Sequence, residues 1–428
     1  MPRFLHLADI HLGFDRYDSK ERTKDFYRAF HDAIERYAIA EQVDFVIIVG
    51  DLFEHRTIQP NVLNQAQLCL EDLKRAGIPV IAIEGNHDNR PYGTKTSWLS
   101  YLASWDLLIL LEPGDPATGE ALYTPWNAEE KRGGYIDLDC GVRVVGSYWY
   151  GSSAPRAIGQ LAAAIQQLPP APGHSVMLFH HGLEGQIARY QGALRYSDLL
   201  PLKDAGIDYL ALGHIHKNYT VEGWIFNPGS VEANSMEESR YERGVYLVEL
   251  NQAGIHAELK RDYYQRSLVQ LRLTARGQES VEDVEQSCRQ LVEQAMRSGK
   301  LDPESSPMVE LRIEGQVGFD RSELDVRKLQ YQLKDLSHAL IFLLKFEAGS
   351  VEFASPLAEE ASQHQIEQEV FTDLLAAHNT YKKHADRLAH SLIDLKDMQL
   401  QGRSEVELYE FVQTLLTQEP ESLTQPAQ

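Results

Sequence analysis

The chain has 428 residues, 43% of them hydrophobic and 24% charged, and 63 acidic side chains against 41 basic ones give it a formal net charge of −22. At about 150 residues per domain this length suggests two or three domains, and the composition excludes a disordered or fibrous chain. No apolar run approaches the ~18 residues of a membrane span, no secretory leader is visible, and the acidic balance argues against holding nucleic acid through a broad basic surface.

Three widely spaced cysteines (Cys69, Cys140, Cys288) fit neither a disulfide framework nor a zinc knuckle, so a reducing cytoplasm is the expected compartment. The acid is unevenly spread: residues 351–428 carry nine of the 22 net negative charges.

Up to residue 264, strand and helix signals alternate. Phe4–Ala8 is a short apolar run. Arg22–Gln42 places Phe26, Phe30, Ala33, Ile34 and Tyr37 at helical spacing. Val43–Val49 is β-branched and almost uninterrupted, as expected of a strand covered on both faces. Asn61–Ala76 reads as a helix closed by Gly77, and Ile78–Ile83 as the next buried strand. Further strand runs are Val142–Val145, Ser175–Phe179, Ile207–Leu212, Trp224–Phe226 and Val245–Leu250. The pattern is that of a layered α/β domain with a large central sheet. From residue 265 it restarts: Leu268–Leu273, Met308–Ile313 and Ala339–Phe346 read as strands, Val281–Met296 and Arg321–Leu336 as helices. Residues 360–416 are helical throughout, with stripes at Ile366, Val370 and Leu374, at Leu388, Leu392 and Leu395, and at Val406, Tyr409 and Val412. The Gln-, Pro- and Ser-rich end is expected to be disordered.

Chemistry gathers at the strand ends. Five predicted strands run into Asp9-Ile-His11, Gly50-Asp51, Gly85-Asn86-His87-Asp88, His180-His181-Gly182 and Gly213-His214-Ile215-His216. In open α/β sheets, ligands bind beyond the carboxyl ends of strands, so the five tips can share one site. Taken singly, each has a plain alternative as a turn, a cap or a satisfied core histidine. Turn chemistry does not explain histidine at four of the five tips. Imidazole, carboxylate and amide oxygen together suit manganese or iron, and the absence of cysteine disfavours structural zinc. Asp9, His11, Asp51, Asn86, His180, His214 and His216 supply seven donors, eight if Asp51 is shared, which is enough for two ions that clamp a phosphoryl group during in-line displacement.

These segments resemble a known family. The order Asp-x-His, Gly-Asp, Gly-Asn-His-Asp, His and Gly-His-x-His is similar to that of the calcineurin-like metallophosphoesterases. The wording "LHLADIHLG", "GDLF", "GNHD", "LFHHGLEG", "LGHIHKN", "NPGSVE" and "ERGVYLVEL" resembles the SbcD family of DNA repair exonuclease subunits over residues 3–250. The resemblance implies a four-layer α/β architecture, a β-sandwich flanked by helices, at 1–264. It further implies a small α+β capping domain at 265–352, a helical partner-binding segment at 360–416 and a disordered tail at 417–428. Asp9, His11 and His216 would hold one metal, Asn86, His180 and His214 the other, and Asp51 would bridge them. His180 matches the family ligand better than His181 because it directly follows the run Val176–Phe179. His87 would face the scissile phosphate and stabilise or protonate the leaving oxygen, with Asp88 orienting it. One departure stands out: several relatives carry His three positions after the bridging Asp, and here that position is Glu54. A glutamate beside a phosphate should repel it, so His55 and Arg56 become the candidates for placing the substrate.

The expected function is therefore a di-metal-dependent DNA phosphodiester hydrolase, exonuclease or endonuclease, using two divalent ions, most simply Mn2+. The resemblance adds a homodimer, through helix 61–76 and segment 97–106, and an SbcC-like ABC-type ATPase docked on the C-terminal helices. A phosphoesterase acting on nucleotides or phosphoproteins is the alternative enzyme, and a non-catalytic scaffold of the ATPase complex the alternative of another class. Trp98, Trp105, Trp126 and Trp149 read as packing residues rather than base-stacking platforms.

Overall fold

The computed structural model describes residues 1–417 apart from 92, 95, 188–191, 252–253, 351–362, 377–380, 382–383 and 402. Beyond Thr417 the expected tail lies outside the described residues. The chain forms two compact units, Met1–Val317 with Arg321–Ala348, and Gly318–Asp320 with Gly349–Gln428.

The first unit begins with β1 (Arg3–Leu7), α1 (Lys20–Ile34), β2 (Phe45–Val49), α2 (Pro60–Arg75), β3 (Val80–Ile83), α3 (Trp98–Ser104) and β4 (Ile109–Leu110). Ser19 caps α1 by accepting the Arg22 N–H, and the helix runs on into a π-turn at Glu35–Ile39, which accounts for the long helical signal in the sequence. The chain continues through β5 (Tyr135–Leu138), β6 (Val142–Val145), α4 (Ala154–Ile165), β7 (His174–Phe179), α5 (Tyr196–Asp204), β8 (Tyr209–Leu212), β9 (Tyr219–Val221) and β10 (Ile225–Asn227). It returns through β11 (Val245–Asn251) and β12 (Gly254–Lys260).

These strands build two six-stranded sheets, in the orders β12-β11-β1-β2-β3-β4 and β5-β6-β7-β8-β10-β9. The large central sheet expected from the strand pattern is thus two sheets face to face, as the family resemblance implied. In the first sheet β1 to β4 run parallel, with β11 antiparallel to β1. In the second, β6, β7, β8 and β10 run parallel.

Side-chain alternation explains the unbroken apolar runs. Phe45, Ile47 and Val49 of β2 enter the layer between the sheets, where they meet Val144, Val176 and Leu178. Val46 and Ile48 point the other way, beneath Phe26, Phe30 and Leu70 of α1 and α2. On the far side, Met177 and Leu210 lie beneath Ile158 and Leu161 of α4 and Leu199 of α5. The layers are helix, sheet, sheet, helix. His6 is buried in the middle layer, where Nδ1 pairs with the Tyr209 hydroxyl at 2.9 Å and Nε2 with the Leu212 carbonyl at 3.1 Å.

The rest of this unit holds β13 (Leu268–Arg276), α6 (Val281–Arg297), β14 (Met308–Val317), α7 (Val326–Ser337) and β15 (Ile341–Phe346), with the three strands paired parallel in the order β13-β14-β15. A capping box between Ser280 and Asp283 starts α6, which buries Val284, Cys288, Val292 and Ala295.

In the second unit lie α8 (Gln363–Ala376), α9 (Ala385–Leu400) and α10 (Glu405–Thr417). Ala385, Ala389 and Ile393 of α9 are buried, whereas Ile366, Val370, Leu374, Leu392, Val406 and Tyr409 are exposed. No described helix is long and apolar enough to cross a membrane.

Candidate metal centre

The tips of β1, β2, β3, β7 and β8 meet at one edge of the two sheets. Backbone hydrogen bonds lace the first two together: the Asp51 carbonyl accepts from Ile10 and His11 at 2.9 and 3.0 Å. The Asp9 carboxylate accepts the His214 backbone N–H at 2.9 Å, which ties β1 to β8. Asp51 accepts the His87 backbone N–H at 2.9 Å, which ties β2 to β3.

Small residues are required where these tips touch. A Cβ at Gly85 would lie 2.0 Å from Asp51 Oδ1, and one at Gly50 would lie 2.3 Å from His180 Nδ1. Four expected ligands, Asp9, His11, Asp51 and His214, sit in the left-handed region at φ 52, 53, 53 and 79°. Such strain costs about 1–3 kcal/mol per residue and persists only where the surroundings enforce it, commonly at functional sites.

The donors fall into groups. Ligand atoms of Asp9, His11 and His216 lie within 4.8 Å of one another, and so do those of Asp51, His180 and His214. His11 Nε2 and His216 Nε2 face each other at 3.2 Å. His180 Nε2 and His214 Nδ1 both reach the Asn86 side-chain oxygen, at 3.1 and 2.7 Å, and His180 Nε2 lies 3.2 Å from Asp51 Oδ2. Imidazole nitrogens crowded on one another and on shared oxygens are the donor set two divalent cations require, so the residues fit the expected ions. All seven expected ligands are brought together.

The electrostatics agree. Burial opposes ionisation of Asp51, but the imidazoles of His180 and His11 hold its carboxyl well below the usual range. Burial would lower His180, and Asp51 overrides it and raises it to about 9. His216 is likewise lowered by burial and raised to about 9 by Glu238. His214 is pushed down to about 3 by burial and then by His180.

The neighbouring residues are placed as follows. His180 faces the donors, while His181 turns aside and bonds the Gly151 carbonyl at 3.1 Å through Nε2. The His87 ring lies edge-on to His11 at 4.9 Å between centroids, with its side chain 39% exposed and Nδ1 donating to the Glu54 carbonyl at 2.8 Å. Asp88, expected to orient His87, does not touch it. Its oxygens instead accept the backbone N–H groups of Leu52, Phe53 and Gly85, at 2.7, 3.3 and 2.8 Å. It is a brace between two loops, because a buried carboxylate takes the nearest unpaired donors.

Glu54 is only 15% exposed and sets Oε2 2.7 Å from His11 Nδ1, a contact short of hydrogen-bond alignment; ligand atoms of His11, Glu54 and His87 also lie within 4.8 Å of one another. His55 and Arg56 are exposed. His55 pairs with Asp15 at 3.1 Å, and Arg56 donates to the Asn86 carbonyl at 3.3 Å.

Two neighbours carried no sequence signal for the site. Glu238 lies in the short turn Met236–Arg240 and bonds His216 Nδ1 at 3.0 Å. Trp149, read as packing, sets its ring against His214 at 6.4 Å between centroids.

Comparison with known proteins agrees with this geometry. The model of the calcineurin-like phosphoesterases matches residues 2–218, about half of the chain. The chain is 32% identical over 242 residues to the DNA double-strand break repair protein Mre11 of Archaeoglobus fulgidus, covering 55% of this chain and 52% of that protein. It is 29% identical to the Mre11 of Saccharolobus solfataricus, covering 59% and 61%, and 25% identical to that of Sulfolobus acidocaldarius, covering 79% and 82%. The first two matches span little more than half of those relatives. With its two sheets, its flanking helices and its converging strand tips, the chain belongs to the calcineurin-like phosphoesterase family.

Proposed function

We propose that the chain is a di-metal-dependent DNA phosphodiester hydrolase of the SbcD type, acting as an exonuclease or endonuclease in DNA repair, with Mn2+ as its ions. One observation carries this reading: the convergence of Asp9, His11 and His216 beside Asp51, His180 and His214, with Asn86 between the last two histidines. The first three would hold one ion, Asn86, His180 and His214 the other, and Asp51 both. Two divalent ions there supply a clamp for the phosphoryl group and a lowered pKa for water.

The chain's own contribution is then placement and proton transfer. With Nδ1 committed to the Glu54 carbonyl, His87 keeps Nε2 for the substrate. When protonated, it neutralises or protonates the leaving oxygen. The exposed His55 and Arg56 would contact the DNA strand.

The names of the relatives favour DNA over a nucleotide or a phosphoprotein. The full set of donors disfavours a non-catalytic scaffold. Exposed Leu68, Tyr101 and Trp105 near α2 and α3 support a homodimer, and the exposed apolar residues of α8 to α10 support docking of an SbcC-like ATPase at 360–416. Residues 265–352 would cap the nuclease part. The free cysteines Cys69, Cys140 and Cys288 support a cytoplasmic location.

The test is purified protein with Mn2+ on linear duplex, hairpin and single-stranded circular DNA, with and without its ATPase, and with His87→Ala as control. Cleavage of at least one DNA substrate, lost in His87→Ala, is the expected result. Hydrolysis of nucleotides with no cleavage of any DNA would replace this reading by the small-substrate phosphoesterase.

A further inference from the structure

A histidine that binds an ion through one ring nitrogen is aimed by whatever its other nitrogen touches, and that contact also fixes its tautomer and basicity. The histidines of this site differ in that respect. His180 Nδ1 lies 2.8 Å from a neutral carbonyl, that of Val49. The facing pair is backed by carboxylates instead: His11 Nδ1 has Glu54 Oε2 at 2.7 Å, and His216 Nδ1 has Glu238 Oε1 at 3.0 Å. The Nε2 atoms of that pair stand 3.2 Å apart on the inner side.

Neither glutamate is a loose surface group. Their side chains are 15% and 13% exposed. Glu238 uses its second oxygen to accept the Asn234 N–H at 2.8 Å. The Glu54 backbone donates to the Leu12 carbonyl at 3.0 Å, next to His11. Glu54 also reaches the residue proposed to face the leaving group, since its carbonyl accepts from His87 Nδ1 at 2.8 Å.

We propose that Glu54 and Glu238 are positioning residues for one of the two metal subsites, aiming Nε2 of His11 and His216 at a single cation and making that subsite the tighter of the pair. This rests on the two-metal reading above. The asymmetry follows from charge. Asp9, Glu54 and Glu238 bring three carboxylates to or directly behind the His11–His216 subsite, whereas the imidazole of His180, in the other subsite, has the neutral Val49 carbonyl behind it. A carboxylate behind an imidazole strengthens the metal–nitrogen bond without occupying a coordination position.

The experiment is Mn2+ titration of the full chain by calorimetry and by electron paramagnetic resonance, comparing wild type with Glu54→Gln, Glu238→Gln and Glu54→Asp, and following thermal unfolding without metal. Wild type should bind two Mn2+ in two resolved steps. Each Gln variant should weaken the tighter step by about 10- to 100-fold and leave the weaker step and the unfolding temperature in place. Glu54→Asp, which keeps the charge, should recover part of the loss. Two unchanged steps in both Gln variants overturn the proposal, and so does an equal weakening of both steps with a fall in unfolding temperature, which marks a general structural role. Fewer than two bound Mn2+ in wild type, or two intact steps in His216→Ala, overturns the two-metal reading and this proposal with it.

Discussion

The Asp88 carboxylate accepts the Leu52 backbone N–H at 2.7 Å, and through this bond the loop after β3 holds the loop after β2 in register. Its other oxygen accepts the Gly85 N–H at 2.8 Å. Asn86 and His87 are therefore set against Asp51 by a residue that touches none of their side chains. Burial, and then Asp51, push the Asp88 carboxyl up to about 6, so above that pH the native state holds a second buried negative charge beside the first.

Asp88→Asn should be less stable than wild type, because an amide NH2 cannot accept from a backbone N–H and one buried donor is left unpaired. The expected loss is about 1–3 kcal/mol, read from urea unfolding. The charge argument adds a sign. A carboxyl raised in the folded state loses stability as pH rises through about 6, so the deficit of the Asn variant should be larger at pH 5 than at pH 8. A deficit independent of pH would contradict the buried-charge account.

Gly85→Ala should separate metal binding from folding. The added Cβ would lie 2.0 Å from Asp51 Oδ1 and 2.6 Å from the Asp51 nitrogen, so the Asp51 carboxylate and the backbone at its tip must move. Mn2+ affinity should fall by at least about tenfold, the scale of losing an oriented ligand, while circular dichroism stays that of the wild type. Calorimetry on both proteins decides it, and an unchanged isotherm would show that Asp51 can shift without cost.

The legible and hidden parts of this site differ for a physical reason. Asp9, His11, Asp51, Asn86, His180, His214 and His216 each follow a strand buried on both faces, and such strands leave long apolar runs that end abruptly in polar residues. Val43–Val49 and Ser175–Phe179 are visible for that reason. Strands β4 and β9 have two and three residues, too few for any period. β12 alternates between exposed and half-buried residues, so it lacks the buried run that marks β1 or β2. The hidden contacts are those between elements remote in sequence. Glu238 meets His216 from 22 positions away and Asp88 meets Leu52 from 36, and neither spacing has a local signature. The approach of Glu54 to His11 is likewise invisible in the sequence.

His6 makes the acid stability of the sandwich testable. Burial holds its imidazole down to about 3, opposed in part by the Leu212 carbonyl, against 6.5 for a free histidine. Between those values the unfolded chain takes up a proton that the native state refuses. Its contribution is present above about pH 6.5 and declines as pH falls toward 3, by up to about 1.4 kcal/mol per pH unit. His6→Gln should be less stable at pH 7.5, since a partner of the Tyr209 hydroxyl or the Leu212 carbonyl is lost, yet should show a shallower decline between pH 6.5 and 4. Equal slopes in the two proteins would rule out His6 as a source of the acid sensitivity.

Asp25 anchors a buried ionic cluster of the first unit and gives the steepest of these expected effects on stability. Arg266 grips it with two bonds of 2.6 Å, from Nε and from one terminal nitrogen, and Arg22 adds a third at 3.1 Å. Arg22 also lies 3.3 Å from Glu232, and Arg266 donates to the Ser305 and Ser306 carbonyls at 3.1 and 2.7 Å. The cluster therefore joins α1 to the segment between α6 and β14. Asp25→Ala would take from both guanidiniums the carboxylate they share, in a site where Asp25 and Arg22 are 0% and 1% exposed. Removing one partner of a buried pair typically costs about 3–5 kcal/mol, far more than the pair contributes net, because the remaining charge is left unsolvated. Burial pushes the Asp25 carboxyl up, but the bonds from Arg266 prevail and hold it below its ordinary value. Its contribution is thus present at neutral pH and lost as pH falls through that lowered value. Urea unfolding at pH 7 should show the full deficit, and the double variant Asp25→Leu with Arg266→Met should recover much of it by removing both charges. A double variant no better than Asp25→Ala would mean that Arg266 acts through its bonds to Ser305 and Ser306 rather than through Asp25.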